Sequence, residues 1–439
     1  MSDPTDLTSE WGQALSEPEL VEVIGSHFRD SRARGLDAVE YGDEGNAALT
    51  FIYKGLELTR IEAGPGLTTD LYASITAAVA REAASSAAYV RRFFVFSNIP
   101  TQGWWRYGER FQLVEAPEQA PRAPFLAAKH PLVLETVIKD STMYGVKSMR
   151  EQRALRQLSL LLNALNHFGI EAIGNHATRH WVLSDDITTR PMAEAVNFAQ
   201  EGYGIDDYPV ILDGFSNTSG LASIPIEPHV AHFTRLGIDA GGRFSVADSL
   251  ADLLDTFWEL SLEKQLAFER ASYWLAHSDA VRPLSSSASY AALVQAIEAL
   301  LPGDNDAPLC PECRRPVGPG ITRRYMDFIE HYAPGIETKE RRELYAVRSK
   351  ISHGGELLHS DFGPRSFSMG AKELDEFRIL HLVHAVTRRA IVNWLASRHR
   401  EPIPLIVDWP QRKLRSLRTV RIGPIGSAAS TKEEFSGED

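Results

Sequence analysis

Cysteine is nearly absent from this chain, with two in 439 residues. No disulfide framework follows from that supply, and a reducing, cytoplasmic location is the expectation. Long apolar runs are missing too. None approaches the roughly 18 residues that a membrane-spanning helix needs. The opening Met-Ser-Asp-Pro-Thr-Asp has neither a basic nor an apolar leader segment, so neither export nor a membrane partner is expected. Net positive charge is also lacking: 46 Lys and Arg stand against 58 Asp and Glu, a formal charge of -12. That argues against a protein that coats nucleic acid, because non-specific phosphate binding needs dense cations. There is no Gly-x4-Gly-Lys-Ser/Thr loop and no strand-borne Gly-x-Gly-x-x-Gly. His176, His180, Asp185 and Asp186 lie close together, but no second cluster completes a metal-ligand spacing.

With 44% hydrophobic residues, the chain has enough length for two cores. The expected fold class is α+β in two domains. A loose, disordered polar lead covers 1–15, a mixed α/β domain of unassigned role 16–242, an all-α bundle 248–400, and a basic then acidic, partly disordered tail 401–439. In the first domain a helix is expected over Glu17 to Arg29. Runs rich in β-branched and aromatic residues predict strands at Leu49 to Tyr53, Leu56 to Ile61, Val90 to Phe96, Phe111 to Glu115 and Leu132 to Ile138. Helices over Thr69 to Ala84 and Met149 to Phe168 interrupt them, and shorter strands follow at Trp181 to Ser184 and Val210 to Leu212. After Gly242 the helical period takes over: Ser249 to Leu260, Leu262 to His277 with Ser261 as N-cap, Ser287 to Leu301, Ile321 to Tyr332, Thr338 to His353 and Lys372 to Arg398.

Two motifs in these halves carry chemistry on paper. Gly103-Trp-Trp-Arg-Tyr-Gly108 reads as a loop whose Trp104, Trp105 and Tyr107 beside Arg106 suit base stacking; the alternative is that the rings fold back onto the sheet. The sharper motif is Leu344-Tyr-Ala-Val-Arg-Ser-Lys-Ile-Ser-His-Gly-Gly355. Leu344, Val347 and Ile351 recur at helical spacing and form a buried stripe. Gly354 suits the left-handed conformation that ends a helix, which sets His353 beside carbonyls with no partner inside the helix. Five residues rotate by roughly 140° on a helix, so Arg348 and His353 do not share a face. Their convergence asks for unwinding or for a second subunit. Spacing alone is weak: Arg378 and His384 satisfy it as well, and there the stripe Phe377, Leu380, His384, Ile391, Trp394 reads as packed structure.

Charge is uneven around this helix. From Lys339 to Lys350, Lys339, Arg341, Arg342, Arg348 and Lys350 face only Glu340 and Glu343, and Arg314, Arg315, Arg323 and Arg324 lie upstream. A local basic surface on an acidic protein holds a polyanion at one site; solvated helix faces are the alternative.

The run Ser287 to Leu300, then Cys310-Pro-Glu-Cys313, then Leu344 to Gly354 resembles the HEPN superfamily, and within it the Apea-like branch, over roughly Asp248 to Arg398. The resemblance implies a helical bundle that pairs as a homodimer, so that two Arg-x4 to x6-His motifs build one metal-independent ribonuclease site requiring no cofactor. It implies Arg348 and His353 as catalytic residues. Ser349, Tyr345, Ser352 and Gly354 support them, and RNA is held by Lys350, Arg341, Arg342, Arg323 and Arg324. A toxin or antiphage effector, with the α/β half taking a regulatory ligand or protein, is the expected setting. The alternative within the same resemblance is a non-catalytic nucleotide-binding or protein-interaction module. Cys310 and Cys313 supply half of a tetrahedral zinc site, which His331, His359 or a second subunit would have to complete; a plain turn is the default.

Overall fold

The computed structural model describes residues 6–12, 14–55, 57–97, 99–118, 120, 130–166, 170–172, 180–183, 196–199, 208–234, 243–301, 320–362 and 371–405. Sheets occupy the N-terminal part and helices the C-terminal part, so the chain is mixed α/β. The described residues belong to a single contact unit, Met1–Leu405. None of their helices is long and apolar enough to cross a membrane.

The chain opens on α1 (Thr8–Trp11) and α2 (Glu17–Gly25), followed by β1 (Ser31–Ala33), β2 (Ala38–Asp43), β3 (Asn46–Lys54), β4 (Glu57–Ala63) and α3 (Thr69–Ala84). The four strands pair antiparallel in sequence order. The alternation of β3 puts Leu49 and Phe51 on one face, where Trp11, Leu20, Ile24, Ile61 and Ile75 close a core. The expected loose lead therefore differs from residue 7 onward: Leu7 and Trp11 are 4% and 1% exposed. β1 and β2 went unexpected as well. β1 is fully exposed and β2 carries an irregularity at Tyr41/Gly42, so both owe their shape to pairing with neighbouring strands more than to residue preference.

The second sheet is built from β5 (Ala88–Ser97), β6 (Trp104–Tyr107), β7 (Phe111–Glu115), β8 (His130–Lys139), β9 (Ile170–Ala172) and β12 (Ile211–Leu212). Its order is β12-β5-β8-β7-β6, with β9 also on β5. Between β9 and β12, β10 (His180–Leu183) and β11 (Val196–Ala199) pair with each other. α4 (Tyr144–Leu165) precedes β9, buries its leucine stripe, Leu155, Leu158, Leu162 and Leu165, and lies against α2, β8 and β9. Tyr208 and Leu221 pack with Phe94, Phe96, Val114 and Val133. β8 is consequently buried from Pro131 through Thr136 without alternation. α4 starts at Tyr144, earlier than expected, because Gly145 there is not a helix breaker but a contact: a Cβ would lie 1.9 Å from the Glu22 carboxylate on α2.

Gly103 to Gly108 is not a loop. Trp104 to Tyr107 form β6, Tyr107 donates to Asp255 at 2.5 Å, Trp105 packs on Phe111, and Arg106 lies over the Phe215 ring. The aromatic platform is spent on packing.

A short parallel pair, β13 (Ile226–Glu227) with β14 (Val246–Ala247), brackets α5 (His229–Thr234). Helices follow: α6 (Leu250–Glu259), α7 (Leu262–Val281), α8 (Ser286–Glu298), α9 (Ile321–Tyr332), α10 (Thr338–Ser352), α11 (His359–Phe362) and α12 (Ala371–Ala396). Ser261 holds the N-cap position of α7, but its side chain makes no capping hydrogen bond. α12 packs on α6, α7, α8 and α9, and it meets α4 as well. Residues 401–405 are not tail: Ile403 and Leu405 are buried, and Asn393 clasps the main chain of Ile403 from both sides, at 2.9 and 3.0 Å. Residues 406–439 lie outside the described residues, as do Cys310, Cys313, Arg314, Arg315, His176, Asp185 and Asp186.

Candidate functional site

α10 ends as its glycines require. The N–H of Gly354 donates to the Ile351 carbonyl at 3.1 Å and that of Gly355 to Lys350 at 2.9 Å, the paired bonds of a Schellman cap. Gly354 sits at φ 67°, in the left-handed region, with open space where a Cβ would be. Gly354→Ala should therefore cost about 1 kcal/mol through backbone strain alone, with no clash, measurable as a lowered urea midpoint. His353 is the C-cap residue and its side chain is exposed, with no hydrogen bond or ion pair among the described residues.

The loop after His353 is tied down at a distance from it. Asp361 accepts from Ser285 Oγ at 3.0 Å and from the N–H groups of Ser286 and Ser287 at 2.6 and 2.9 Å, capping α8. Burial would raise the Asp361 carboxyl, but these bonds outweigh it and hold the group below its ordinary value. Glu376 on α12 accepts from the N–H groups of His359 and Ser360.

Arg348 turns the other way. Its Nη2 pairs with Glu298 Oε1 at 2.9 Å, and the guanidinium lies 5.6 Å from the centre of the Tyr345 ring. Arg348 and His353 are thus separated as the helix geometry demands: the arginine faces α8 and the histidine faces outward. Tyr345 stacks at a tilt on Tyr325 of α9, with centroids 5.2 Å apart. Ser349 gives its carbonyl to the His353 N–H at 3.1 Å, and Ser352 is the last residue of the helix.

The basic residues divide. Arg342 and Lys350 are exposed on the outward face that helical spacing gives to His353, and Lys350 pairs with Glu356 at 2.7 Å. Arg341 does not face out. It is buried, bonding Glu330 at 3.0 Å and the Thr338 hydroxyl at 2.9 Å, and so ties α9 to α10 instead of lying on the exposed face with Arg342 and Lys350. Arg323 is exposed and pairs with Asp327, while Arg324 is half-buried. An open groove of about 700 Å³ runs along the start of α10, where Lys339, Arg342 and Arg378 are matched by Glu337, Glu340 and Glu343. Arg378 is committed to Glu343 and Asp375 at 3.0 and 3.1 Å. The groove is balanced in charge rather than basic.

The second Arg/His pair is structural. His384 bonds Asp279 at 2.9 Å, Arg388 bonds the same carboxylate at 2.8 Å and reaches the Asn163 carbonyl of α4 at 3.0 Å. Burial would raise the Asp279 pKa, but His384 and Arg388 outweigh it and hold the carboxyl well below the usual range. Among the described residues no group of three or more His, Cys, Asp or Glu is placed to hold a metal ion. His331 packs on Tyr332, and His359 lies 3.6 Å from Glu373.

Sequence reading missed Glu298 and Tyr325, the residues that surround Arg348. One signal was available: Glu298 is an acid at the last position of a helix, where the dipole disfavours it.

Compared with known proteins, the chain matches no family model, no curated protein and no solved structure.

Proposed function

We propose that the chain is a metal-independent endoribonuclease of the HEPN type, with an α/β domain over 16–242 and a helical domain over 248–400 that pairs with a second copy. The observation that carries this reading is His353: an exposed imidazole with no partner among the described residues, at a capped helix end, beside Lys350 and Arg342, on the helix that also bears Arg348. His353 takes the proton from a ribose 2′-hydroxyl. The 2′-oxygen attacks the neighbouring phosphorus and the 5′-oxygen leaves, protonated by the second copy's His353. Arg348 neutralises the non-bridging oxygens as charge develops on them. The products carry a 2′,3′-cyclic phosphate and a 5′-hydroxyl.

The test is to incubate the full chain with single-stranded RNA in EDTA, beside Arg348→Ala, His353→Ala and a 2′-deoxy substrate. Cleavage by wild type that falls roughly 100-fold or more in each variant, with the deoxy substrate uncut, is the expected result. A wild-type dimer inert on every RNA tried would sink the proposal. The Arg348–Glu298 pair favours a second reading, a non-catalytic nucleotide-binding or interaction module in which Arg348 is structural. Nucleotide or partner binding without cleavage would mark it.

A further inference from the structure

Glu298 is the last residue of α8, so its carboxylate lies at the negative end of that helix, where an acid is disfavoured. The only compensation visible among the described residues is Arg348. Nη2 of the arginine lies 2.9 Å from Oε1 and 3.3 Å from Oε2 of the glutamate, and the two side chains are 18% and 15% exposed. Among the described residues the rest of the guanidinium makes no polar contact: Nε is buried without a hydrogen-bond partner, and both the hydrogen bond and the ion pair of Arg348 run through Nη2, not Nη1. Tyr325 on α9 is wholly buried beside this pair. Burial and the Glu298 charge push its hydroxyl pKa up while Arg348 pulls it down, and the hydroxyl makes no hydrogen bond among the described residues. The Tyr345 ring supports the guanidinium from α10 itself. Three helices thus converge on one arginine and leave part of its donor fork unused.

We infer that Glu298 is the positioning residue for Arg348, holding the guanidinium by Nη2 against the Tyr345 ring so that Nη1 is presented to a phosphate oxygen. This rests on the nuclease reading above. An arginine side chain left alone samples many rotamers, and a transition state gains from a charge only where that charge already waits. Fixing the cation by a carboxylate on a neighbouring helix supplies that preorganisation, and the partial exposure of the pair leaves it open to a ligand on one side.

The experiment compares wild type, Glu298→Gln, Glu298→Ala and Arg348→Ala in the full chain. The readouts are RNA cleavage at varied substrate concentration, affinity for uncleavable 2′-O-methyl RNA, and thermal unfolding. Glu298→Gln preserves shape and one hydrogen-bond acceptor, so it serves if the alanine variant does not fold. Expected are wild-type KM and RNA affinity with kcat lowered about 10-fold in Glu298→Gln and up to about 100-fold in Glu298→Ala. If Glu298→Gln and any folded Glu298→Ala cut at the wild-type rate while Arg348→Ala is dead, the inference falls and the nuclease reading stands. Faster cutting by either variant also overturns it, because the pair is then a restraint. If wild type and Arg348→Ala are equally inert, the nuclease reading falls first and takes this inference with it.

Discussion

Glu135→Ala lowers the unfolding free energy by roughly 3–5 kcal/mol, the cost of leaving a buried charge without its partner. Glu135 is wholly buried at the centre of β8, and its hydrogen bonds among the described residues all come from outside that strand. Arg92 on β5 donates to it at 2.7 Å, Gln112 on β7 at 2.7 Å, and Ser216 donates through both its N–H, at 2.9 Å, and its hydroxyl, at 2.6 Å. Burial alone would raise the carboxyl pKa; the bonds from Ser216, Arg92 and Gln112 outweigh it and keep the group ionised below its ordinary value. Removing the carboxylate leaves the Arg92 guanidinium, with a side chain only 9% exposed, without its counter-charge under the Tyr208 ring, and leaves the Gln112 and Ser216 donors without their acceptor. A double variant, Arg92→Leu with Glu135→Leu, should be more stable than Glu135→Ala, because removing both partners leaves no orphaned charge. Urea unfolding of the three variants and wild type decides the matter. A Glu135→Ala protein within about 1 kcal/mol of wild type would show that the cluster is solvated or redundant.

How much of this was readable beforehand depends on how local the cause is. Phe111 to Glu115 as a strand, Thr69 to Ala84 and Ile321 to Tyr332 as helices match the structure residue for residue, because a short run of aromatic and aliphatic residues and helical periodicity are local signals. The end of α10 was equally legible, since only glycine sits easily at the φ of Gly354. Trp104 to Tyr107 went wrong because flanking glycines speak for a turn, while the strand is made by pairing with β7 and by the Tyr107 bond to Asp255, 148 residues away. The same limit applies to the candidate site. Arg348 and His353 could be named from spacing, but Glu298 stands 50 residues from the arginine it holds, and Arg341 gave no local sign that it turns toward Glu330. Side-chain partners across a bundle are set by packing, and a linear pattern of charges does not reveal which cation is spent.

Acidification from pH 6.5 toward 4 should destabilise the protein through His229 and His232, by on the order of 2–3 kcal/mol for each. Both lie on α5 and are 6% and 1% exposed. His229 Nδ1 meets the Ser249 hydroxyl, and its N–H donates to Asp248 at 2.9 Å; His232 Nδ1 lies 3.5 Å from Glu227. Burial is the largest cause that pushes each imidazole down to about 4 from an ordinary 6.5. Arg400 and Arg389 add to it at His229, the neighbouring His229 adds to it at His232, and Asp248 opposes it at both. The sign follows from proton uptake. Above pH 6.5 neither state binds the proton and the histidines contribute no pH dependence. Between 6.5 and 4 the unfolded chain protonates while the folded chain does not, so stability falls as pH falls; below 4 both states are protonated and the loss is complete. His27 and His381 are also pushed down, chiefly by burial, and add a smaller slope in the same direction. Carboxylates such as Glu135 and Asp279, whose folded values lie below the ordinary one, start to lose their contribution as pH falls into the ordinary carboxylate range of about 4. Urea unfolding at pH 7.5 and 5 therefore weights the imidazoles over the carboxylates. A His229→Gln/His232→Gln variant should start less stable at pH 7.5, having lost its packing, and yet lose several kcal/mol less than wild type over the same interval. Equal losses in the two proteins would mean that these histidines take up protons in the folded state, and that α5 is not held by its buried neutral rings.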